Sequence, residues 1–516
     1  MNTPAKAAPA AMPKPQDPTR KQVRGSSLLL FGRLIALGVN LLSQLLLVHH
    51  LSKQDYGAWT YALAVVAVLG TVASLGLDRT ITRFGAIFLE QREYGKLLGS
   101  IVLTLATVTI IGAFLVAVFY VWPEQLASMV NERGPISILM VLIFLVPLDS
   151  LDNFFLGVFA SFGGAKAIFL RRHLAGPLLK LAAVIVLIAM DARATVLAYG
   201  YLAASVAGAL LSGSLLFTTL RRRGLLRRET LGNIRIPARE IISFTLPLMT
   251  TDLVNALMQS SGALMLGFFC TMDQVALYTI ILPLSLLNLT AFRVFSMLYT
   301  PTASRLFVRG DRPGIVDLYW RTAAWLTVLT FPVFAVTFCM ARPLVTFLYG
   351  ETYARSGTYL ALLSAAYYFM VATGFSGLTL RVMDKVRFVV WGNLIAALTN
   401  LGLNLVLIPR LGPLGAALSA SASLVLHSVV RQIGLHYIAG IPLFDMAYAG
   451  LYLRIAACTI VLAGVTMLAP HNVVVLAALA SLSSLVVLLV SRDSLRIADT
   501  FPELLRFPIL RTLLAR

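Results

Sequence analysis

The chain has 516 residues, of which 59% are hydrophobic and only 12% are charged. A soluble core of this length needs far fewer apolar residues, so the composition excludes a soluble globular protein. The net charge of +20 would suggest nucleic-acid binding in a soluble protein, but in a membrane protein it reflects cations in surface loops. Since a spanning helix takes about 20 apolar residues, the composition predicts one integral membrane domain.

The cysteines give no sign of a metal or cofactor site. Cys270, Cys339 and Cys458 lie far apart in apolar stretches, with no spacing that would hold zinc, an iron–sulfur cluster or haem. We therefore expect no cofactor and no metal. Residues 1–24 are basic and rich in Ala and Pro, and they lack the apolar core of a cleavable signal. They are predicted to form a disordered tail.

The apolar runs predict an all-α integral membrane protein with about 14 transmembrane helices. Boundaries set by hydropathy are good to a few residues. The predicted spans are 26–51, 56–77, 98–122, 135–160, 167–190, 194–219, 241–269, 275–300, 320–341, 358–380, 388–408, 412–438, 447–468 and 471–490.

The connections between these spans alternate in charge. Of the 42 Lys and Arg residues, 32 lie on the side of the N-terminal tail and six on the opposite side. Because cytoplasmic loops retain cations, both termini are predicted to be cytoplasmic, in a multi-pass protein of the bacterial cytoplasmic (inner) membrane. The other four cations fall inside spans: Arg33, Lys180, Arg293 and Arg454.

A weak internal repeat predicts two similar lobes. Residues 45–60 overlay 264–279 at an offset of 219, and 181–188 overlay 401–408 at an offset of 220. An even number of spans per repeat gives two parallel six-helix lobes around a central cavity, plus two extra C-terminal helices. The predicted domains are the tail 1–24, the N-lobe 25–220, a basic cytoplasmic linker 221–240, the C-lobe 241–440, the extra spans 441–490 and an amphipathic cytoplasmic tail 491–516.

Two segments resemble the signatures of a known family. Residues 51–84 (LSKQDYGAWTYALAVVAVLGTVASLGLDRTITRF) are similar to the first hairpin of polysaccharide-export flippases, and residues 400–423 (NLGLNLVLIPRLGPLGAALSASAS) to their second signature. The chain is thereby identified as a member of the polysaccharide-transport branch, the O-antigen and oligosaccharide flippases, of the multidrug/oligosaccharidyl-lipid/polysaccharide exporter superfamily. The resemblance implies the two-lobed fold and says little about the substrate.

Charges inside spans are the candidate site residues, because each costs about 3 kcal/mol on insertion scales and generally faces a partner or a watery cavity. Arg33 and Asp252 are equivalent in the repeat and are expected to face each other across the cleft. Arg33 would bind a lipid diphosphate, unless it reaches to the membrane surface instead. Arg293 lies about 12 Å inside its span at 1.5 Å per residue, so it is predicted to line the cavity.

Asp149 and Asp152 share one face of the fourth span. Two close carboxylates in a dry place repel, so one tends to hold a proton, as an ion-coupled site requires. With Asp252 they are the predicted ion-coupling residues. The alternative is a structural pair neutralised by Lys180 or by arginines at the cytoplasmic end, such as Arg171 and Arg172. Lys180 is thus either such a partner or a third substrate-binding residue beside Arg33 and Arg293.

These expectations together describe a non-enzymatic flippase. It would move undecaprenyl-diphosphate-linked sugar units to the outer leaflet by alternating access, for surface polysaccharide biosynthesis. Its expected partners are this lipid-linked oligosaccharide, membrane lipids, a polysaccharide polymerase and glycosyltransferases, with no nucleic acid, and it is expected to be a monomer.

Three other classes stay open. An ion-coupled drug antiporter of the same superfamily would share the fold, although it would want an acidic cleft. A polymerase or ligase would need a long outward loop with catalytic residues, and the outward connections are short. A membrane scaffold would not need costly charges inside its spans.

Overall fold

The computed structural model describes residues 18–122, 134–226, 232–468 and 473–495. Helices and short connections account for all of these residues, and none of the described segments is a strand. Thirteen helices are long and apolar enough to cross a membrane, and a pair of helices bent by 42° makes a fourteenth span. The predicted all-α membrane protein with about 14 spans is confirmed.

The first lobe contains spans 1 to 6, several of which are broken into shorter helices. Residues 18–24, predicted to belong to the disordered tail, instead form the first turns of span 1. Residues 1–17 lie outside the described part of the chain. The helices are Pro18–His50 (span 1), Lys53–Ser74 and Leu77–Glu90 (span 2), Tyr94–Val121 (span 3), Gly134–Leu142 and Leu145–Ser161 (span 4), Ala165–Ile168, the π-helical Phe169–Ala175 and Gly176–Ala189 (span 5), and Ala194–Arg222 (span 6).

The second lobe contains spans 7 to 12, and two further spans follow it. Most of the predicted amphipathic tail 491–516 lies outside the described residues. The helices are Ala238–Phe269 (span 7), Met272–Thr279, Leu282–Leu286, the 3₁₀ turn Leu287–Leu289 and Thr290–Val308 (span 8), Arg312–Phe334 and the π-helical Ala335–Cys339 (span 9), the connecting Ala341–Tyr349 and Glu351–Tyr353, Ser356–Ala372 and Ser376–Val382 (span 10), Val386–Leu411 (span 11), Pro413–Ala439 (span 12), the turn Met446–Tyr448 with Ala449–Leu468 (span 13), and Val473–Leu495 (span 14).

Large apolar side chains are exposed around the outside of the bundle. Ile110 is 68% exposed, Leu210 70% and Leu453 72%. Side chains of this size are unfavourable in water, but they suit the hydrocarbon of a bilayer. The exposed surface therefore supports the same conclusion as the hydropathy of the spans.

Two names are used below for the ends of the bundle. The basic end is the one at which span 1 begins, and the loops there carry most of the cations. The opposite end is the one at which span 1 finishes, at His50.

Span 2 is longer than the hydropathy predicts. Leu75 and Gly76 form a left-handed turn, with φ of 51° and 73°, and the helix resumes at Leu77 and runs to Glu90. This second segment carries Arg79 and Arg83, so the apolar run stops while the helix continues. Arg79 consequently lies on a helix rather than in a loop, although its side chain is exposed.

The two lobes are in contact near the opposite end. The hydroxyl oxygens of Thr60 in span 2 and Thr279 in span 8 are 2.9 Å apart. A Cβ added at Gly57 would lie 1.8 Å from the carbonyl oxygen of Met272, so only a glycine allows the two helices to approach this closely. The space between the lobes is thus closed at this end.

Spans 13 and 14 pack outside the second lobe. Trp325 and Phe331 of span 9 share a buried apolar cluster with Leu451 and Leu462 of span 13 and Ala480 of span 14. The described residues of spans 13 and 14 do not line the cavity between the lobes. Their packing widens the lobe without adding to the site.

Candidate functional site

A cavity of about 730 Å³ lies between the two lobes. Its wall comes from spans 1, 2, 5 and 6 of the first lobe and spans 7 and 8 of the second. Along span 1 the wall extends from Leu47 to Leu30, and along span 8 from Thr279 to Met297, in both cases from the opposite end toward the basic end. A volume of this size is typical of a small-molecule site.

Three cations lie on the wall of this central cavity. Arg33 and Lys180 come from the first lobe and Arg293 from the second, and no Asp or Glu is among the described residues of the wall. Arg33 and Arg293 form no ion pair within the described ranges, and Arg33 is repelled electrostatically by Arg293 and Arg172. Because like charges repel strongly where water is scarce, this cavity favours an anion.

Lys180 lies beside an aromatic part of the wall. Its Nζ atom is 5.5 Å from the centre of the Tyr201 ring, which is within the range of a cation–π contact. The Tyr201 ring contacts Trp59 edge to face, with centroids 4.7 Å apart. Lys180 also attracts Asp149 electrostatically. Lys180 therefore interacts with groups of the first lobe and also lines the central cavity.

Polar groups line the cavity where the lobes meet. The side-chain amide of Gln44 donates to the carbonyl oxygen of Ile280, 2.8 Å away, and to the hydroxyl of Tyr56, 3.2 Å away. Its oxygen Oε1 is buried and has no hydrogen-bond partner among the described residues. Gln44 therefore links the lobes and leaves one acceptor free.

Comparison with known sequences decides the family. The family described as "Polysaccharide biosynthesis protein" matches residues 46–357, about three fifths of the chain. The chain belongs to this family. The resemblance stated from the sequence is confirmed. No curated protein sequence matches the chain significantly.

Solved structures share the fold of this polysaccharide biosynthesis protein. An inward-facing multidrug resistance transporter of the MATE family, in the MOP superfamily, has a TM-score of 0.65 and 16% identity, covering 83% of this chain and 98% of its own. The lipid II flippase MurJ in an inward closed conformation has a TM-score of 0.65 and 12% identity, and the match covers 94% of this chain and 100% of that of MurJ. A MOP superfamily transporter from Pyrococcus furiosus is described as having a binding pocket of reverse polarity. Its TM-score is 0.56 at 16% identity, and the match covers 86% of this chain and 97% of the transporter. At these identities the likeness establishes the fold.

The carboxylate of Asp252 lies away from the central cavity of this family member. It forms a 2.8 Å ion pair with Arg79 of span 2, and Asp252 is not among the described residues of the cavity wall. The expectation that Asp252 faces Arg33 across the cleft is wrong, because the continued helix of span 2 places Arg79 beside span 7. The ion pair links the two lobes.

The carboxylates of span 4 also lie behind the wall. Asp152 is 2.8 Å from Nε of Arg171 and accepts a hydrogen bond of 3.2 Å from the hydroxyl of Ser212. Arg171 is only 6% exposed. This arrangement fits the structural alternative for Asp152, while Asp149 is attracted by Lys180 and Arg171. Ion coupling by any of the three carboxylates stays a prediction.

The cation count assigns four arginines to loops that the structure places on helices: Arg79, Arg171, Arg381 and Arg431. Arg79 and Arg171 form the ion pairs above, and Arg171 is one of the arginines expected to neutralise the carboxylates of span 4. Arg381 and Arg431 line a smaller cavity. A signal was present for Arg171 and Arg431, since both fall within predicted spans, 167–190 and 412–438. No such signal marks Arg79.

Proposed function

We propose that this protein flips a lipid-linked oligosaccharide, undecaprenyl diphosphate being the lipid carrier, across the cytoplasmic membrane by alternating access. The observation that carries the proposal is the central cavity, whose wall has Arg33, Lys180 and Arg293 and no carboxylate among the described residues. Membership of a polysaccharide biosynthesis family supports a substrate that contains sugars.

The cations suit a diphosphate group. Guanidinium groups donate paired hydrogen bonds to phosphate oxygens, whereas an ammonium acts as a point charge. Arg33 and Arg293 belong to different lobes, so a diphosphate between them would contact both lobes at once. The substrate would then replace the repulsion between the two arginines with attraction to a shared anion, and so favour a particular arrangement of the lobes.

Alternating access requires the closed end to open. The contacts of Thr60 with Thr279 and of Gln44 with Ile280 join the lobes at the opposite end. In the state that releases substrate, these contacts separate and the lobes close toward the basic end. Each contact is a single hydrogen bond worth about 1 kcal/mol net, and the apolar packing of span 2 against Met272 adds to them, so substrate binding must offset both.

Directional transport also needs a free-energy source, and the sequence has no phosphate-binding GxxxxGK[ST] loop. We assign ion coupling first to Asp252, because its ion pair with Arg79 joins span 7 to span 2. A proton or Na⁺ on this carboxylate weakens the attraction and frees the lobes to move. Asp152 pairs within one lobe, so it and Asp149 are second candidates. Removal of product by polymerisation outside is the alternative source.

An ion-coupled drug antiporter is the other candidate, since a MATE transporter has the same fold. A cationic drug needs a carboxylate in the cavity to balance its charge. The described wall has three cations and no carboxylate, which favours the anionic substrate.

The biological setting follows from this proposal. A flippase for surface polysaccharide acts in the inner membrane, with both termini in the cytoplasm, beside glycosyltransferases that make its substrate and a polymerase that consumes it. The chain would work as a monomer, since its own two lobes together form a single central cavity. It would move its substrate without covalent chemistry.

Reconstitution distinguishes the two candidates. The purified full chain is placed in liposomes with an undecaprenyl-diphosphate-linked oligosaccharide carrying a fluorophore, and translocation is read by a membrane-impermeant quencher. We expect translocation above that of protein-free liposomes. Extrusion of cationic dyes without translocation of the lipid would instead establish the antiporter.

A further inference from the structure

A second, smaller cavity adjoins the central one inside the second lobe. It has a volume of about 240 Å³ and is lined by spans 8, 10 and 12. Arg293 lies on the walls of both cavities, so one side chain is shared between them. This smaller space is called the side cavity below.

Three arginines converge on the side cavity. Arg293, Arg381 and Arg431 come from three different spans, and its described wall has no Asp or Glu. None of the three forms an ion pair within the described ranges. Arg293 and Arg381 are exposed and Arg431 is partly buried, so all three guanidinium groups are accessible from this space. Three like charges around one space repel one another, and an anion between them offsets that repulsion.

Arg431 is held in place by neutral groups. Its Nη2 atom donates to Oδ1 of Asn393 at 2.9 Å, and Nε2 of His427 lies 3.0 Å from the same oxygen. A Cβ added at Gly377 would lie 2.9 Å from Cζ of Arg431, so the guanidinium packs directly on the backbone there. Its Nε is buried without a hydrogen-bond partner among the described residues. The guanidinium is therefore oriented, and it keeps unused donors.

The rest of the wall leaves room for a compact polar group. Span 10 is interrupted between Ala372 and Ser376, and Ser376 and Gly377 line the side cavity at this interruption. Ser428 of span 12 lies on the same wall. Small side chains and three guanidinium groups suit a phosphoryl group, whose oxygens accept several charge-assisted hydrogen bonds at once.

We propose that the side cavity is a second phosphoryl-binding subsite on the path of the substrate. This inference rests on the proposed function. The lipid diphosphate binds first at Arg381 and Arg431, and it passes to Arg33 and Lys180 through the shared Arg293. The side cavity, whose three arginines form no ion pair within the described residues, thus receives the anion first.

The first test measures anion binding to the full chain in nanodiscs of neutral phosphatidylcholine, with inorganic pyrophosphate as the probe. The parent is expected to bind pyrophosphate at two sites, and the double variant Arg381→Gln with Arg431→Gln to bind it about 10-fold or more weakly at the side cavity while keeping the central site. Arg387→Gln is the matched control, an exposed arginine at the same end that is not on the side cavity, and it should bind as the parent does. Glucuronate serves as the carboxylate comparison and should bind more weakly than pyrophosphate.

The second test keeps the positive charges of the side cavity and changes the group or its position at Arg431. Arg431→Lys should bind pyrophosphate at the side cavity more strongly than Arg431→Gln but less strongly than the parent. Gly377→Ala keeps all three cations and should still weaken pyrophosphate binding, because the added methyl group displaces the Arg431 guanidinium. A thermal transition like that of the parent establishes that each variant is folded.

The third test separates the sources of the phosphoryl group. Translocation of the diphosphate-linked oligosaccharide should fall by the same factor as pyrophosphate binding in the double variant. Normal translocation by that variant, with loss only of phosphatidylglycerol binding, would assign the subsite to membrane phospholipid and overturn this inference. If Arg33→Gln stops translocation while the double variant binds pyrophosphate as the parent does, the inference fails and the proposed function stands.

Discussion

The hydroxyl oxygens of Thr60 and Thr279 lie 2.9 Å apart although the two residues are 219 positions apart in the chain. This separation equals the offset of the internal repeat, so the contact joins equivalent residues of the two lobes. Equivalent residues can meet only close to the axis that relates their lobes. Both threonines also line the central cavity, so the axis passes through the end that opens in the proposed transport cycle.

A cross-link at this contact should stop transport. We replace Cys270, Cys339 and Cys458 with Ala and introduce Thr60→Cys and Thr279→Cys. Oxidation should join the lobes and reduce translocation to the level of protein-free liposomes, and a reductant should restore it. Each single cysteine variant is the control and should be unaffected by oxidation. Full transport by the cross-linked protein would show that this end does not open.

Arg293 should be indispensable for translocation. Arg293→Ala removes the only cation that both cavities share, and translocation should be lost at normal protein level. Arg293→Lys should rescue it only partly, since an ammonium lacks the paired donors of a guanidinium. Arg454→Ala, which removes an arginine of span 13 that is not on either described wall, should leave the rate unchanged. A parental rate for Arg293→Ala would remove this residue from the site.

The ion pair between Arg79 and Asp252 should govern coupling. Asp252→Asn removes the carboxylate that links the lobes, so translocation in proteoliposomes should no longer respond to an imposed proton or Na⁺ gradient. Arg79→Gln should have the same effect, because it breaks the same pair. Asp149→Asn and Asp152→Asn are measured in parallel. If all three Asp variants respond to the gradient as the parent does, product removal is the better explanation of directional flux.

Gly208 should be required for the buried ion pair of the first lobe. A Cβ at this position would lie 2.2 Å from Nη2 of Arg171, so Gly208→Ala should push the guanidinium away from Asp152 and destabilise the protein by about 1–3 kcal/mol. Gly213→Ala on the same helix is the matched control, since its Cβ would meet only Phe155 at 3.8 Å. Thermal denaturation in detergent compares the two, and equal stability would contradict this account.

The orientation of the chain can be tested at residue 230 in the basic linker. A cysteine placed there by Thr230→Cys, in the same background without native cysteines, should react with a membrane-impermeant maleimide only after the cells are opened. The cation bias of the loops predicts this result. Labelling of intact cells would reverse the assignment of the basic end to the cytoplasm.

The spans and the central cations were predictable for the same physical reason. Hydrocarbon tolerates few charges, so apolar runs mark spans, and a charge inside a run marks a cavity or a partner. Arg33, Lys180 and Arg293 were found in this way, and all three lie on one wall. Their roles in binding stay predictions.

The partner of Asp252 was not predictable from the sequence. Arg79 lies beyond an apolar run, on a helix that continues after the left-handed turn at Leu75 and Gly76, so hydropathy places it in a loop. Its contact with Asp252 depends on how two lobes pack, and no local pattern encodes that distance. For Asp152, by contrast, the sequence offered Arg171 as one of three possible partners, and only the packing of span 5 selects it over Arg172 and Lys180.

The cations of the central cavity also decide which state of the transporter carries electrical charge. With no carboxylate on the described wall beside Arg33, Lys180 and Arg293, the empty cavity is the charged form, and the cavity that holds a diphosphate is closer to neutral. If the protein flips a diphosphate as proposed, a membrane potential acts chiefly on the return of the empty transporter, with an upper limit of about 2.3 kcal/mol per positive charge and 100 mV for a charge that crosses the whole membrane. In a cell with a negative interior, that voltage would favour the return of the empty cavity toward the cytoplasm and so shorten each cycle.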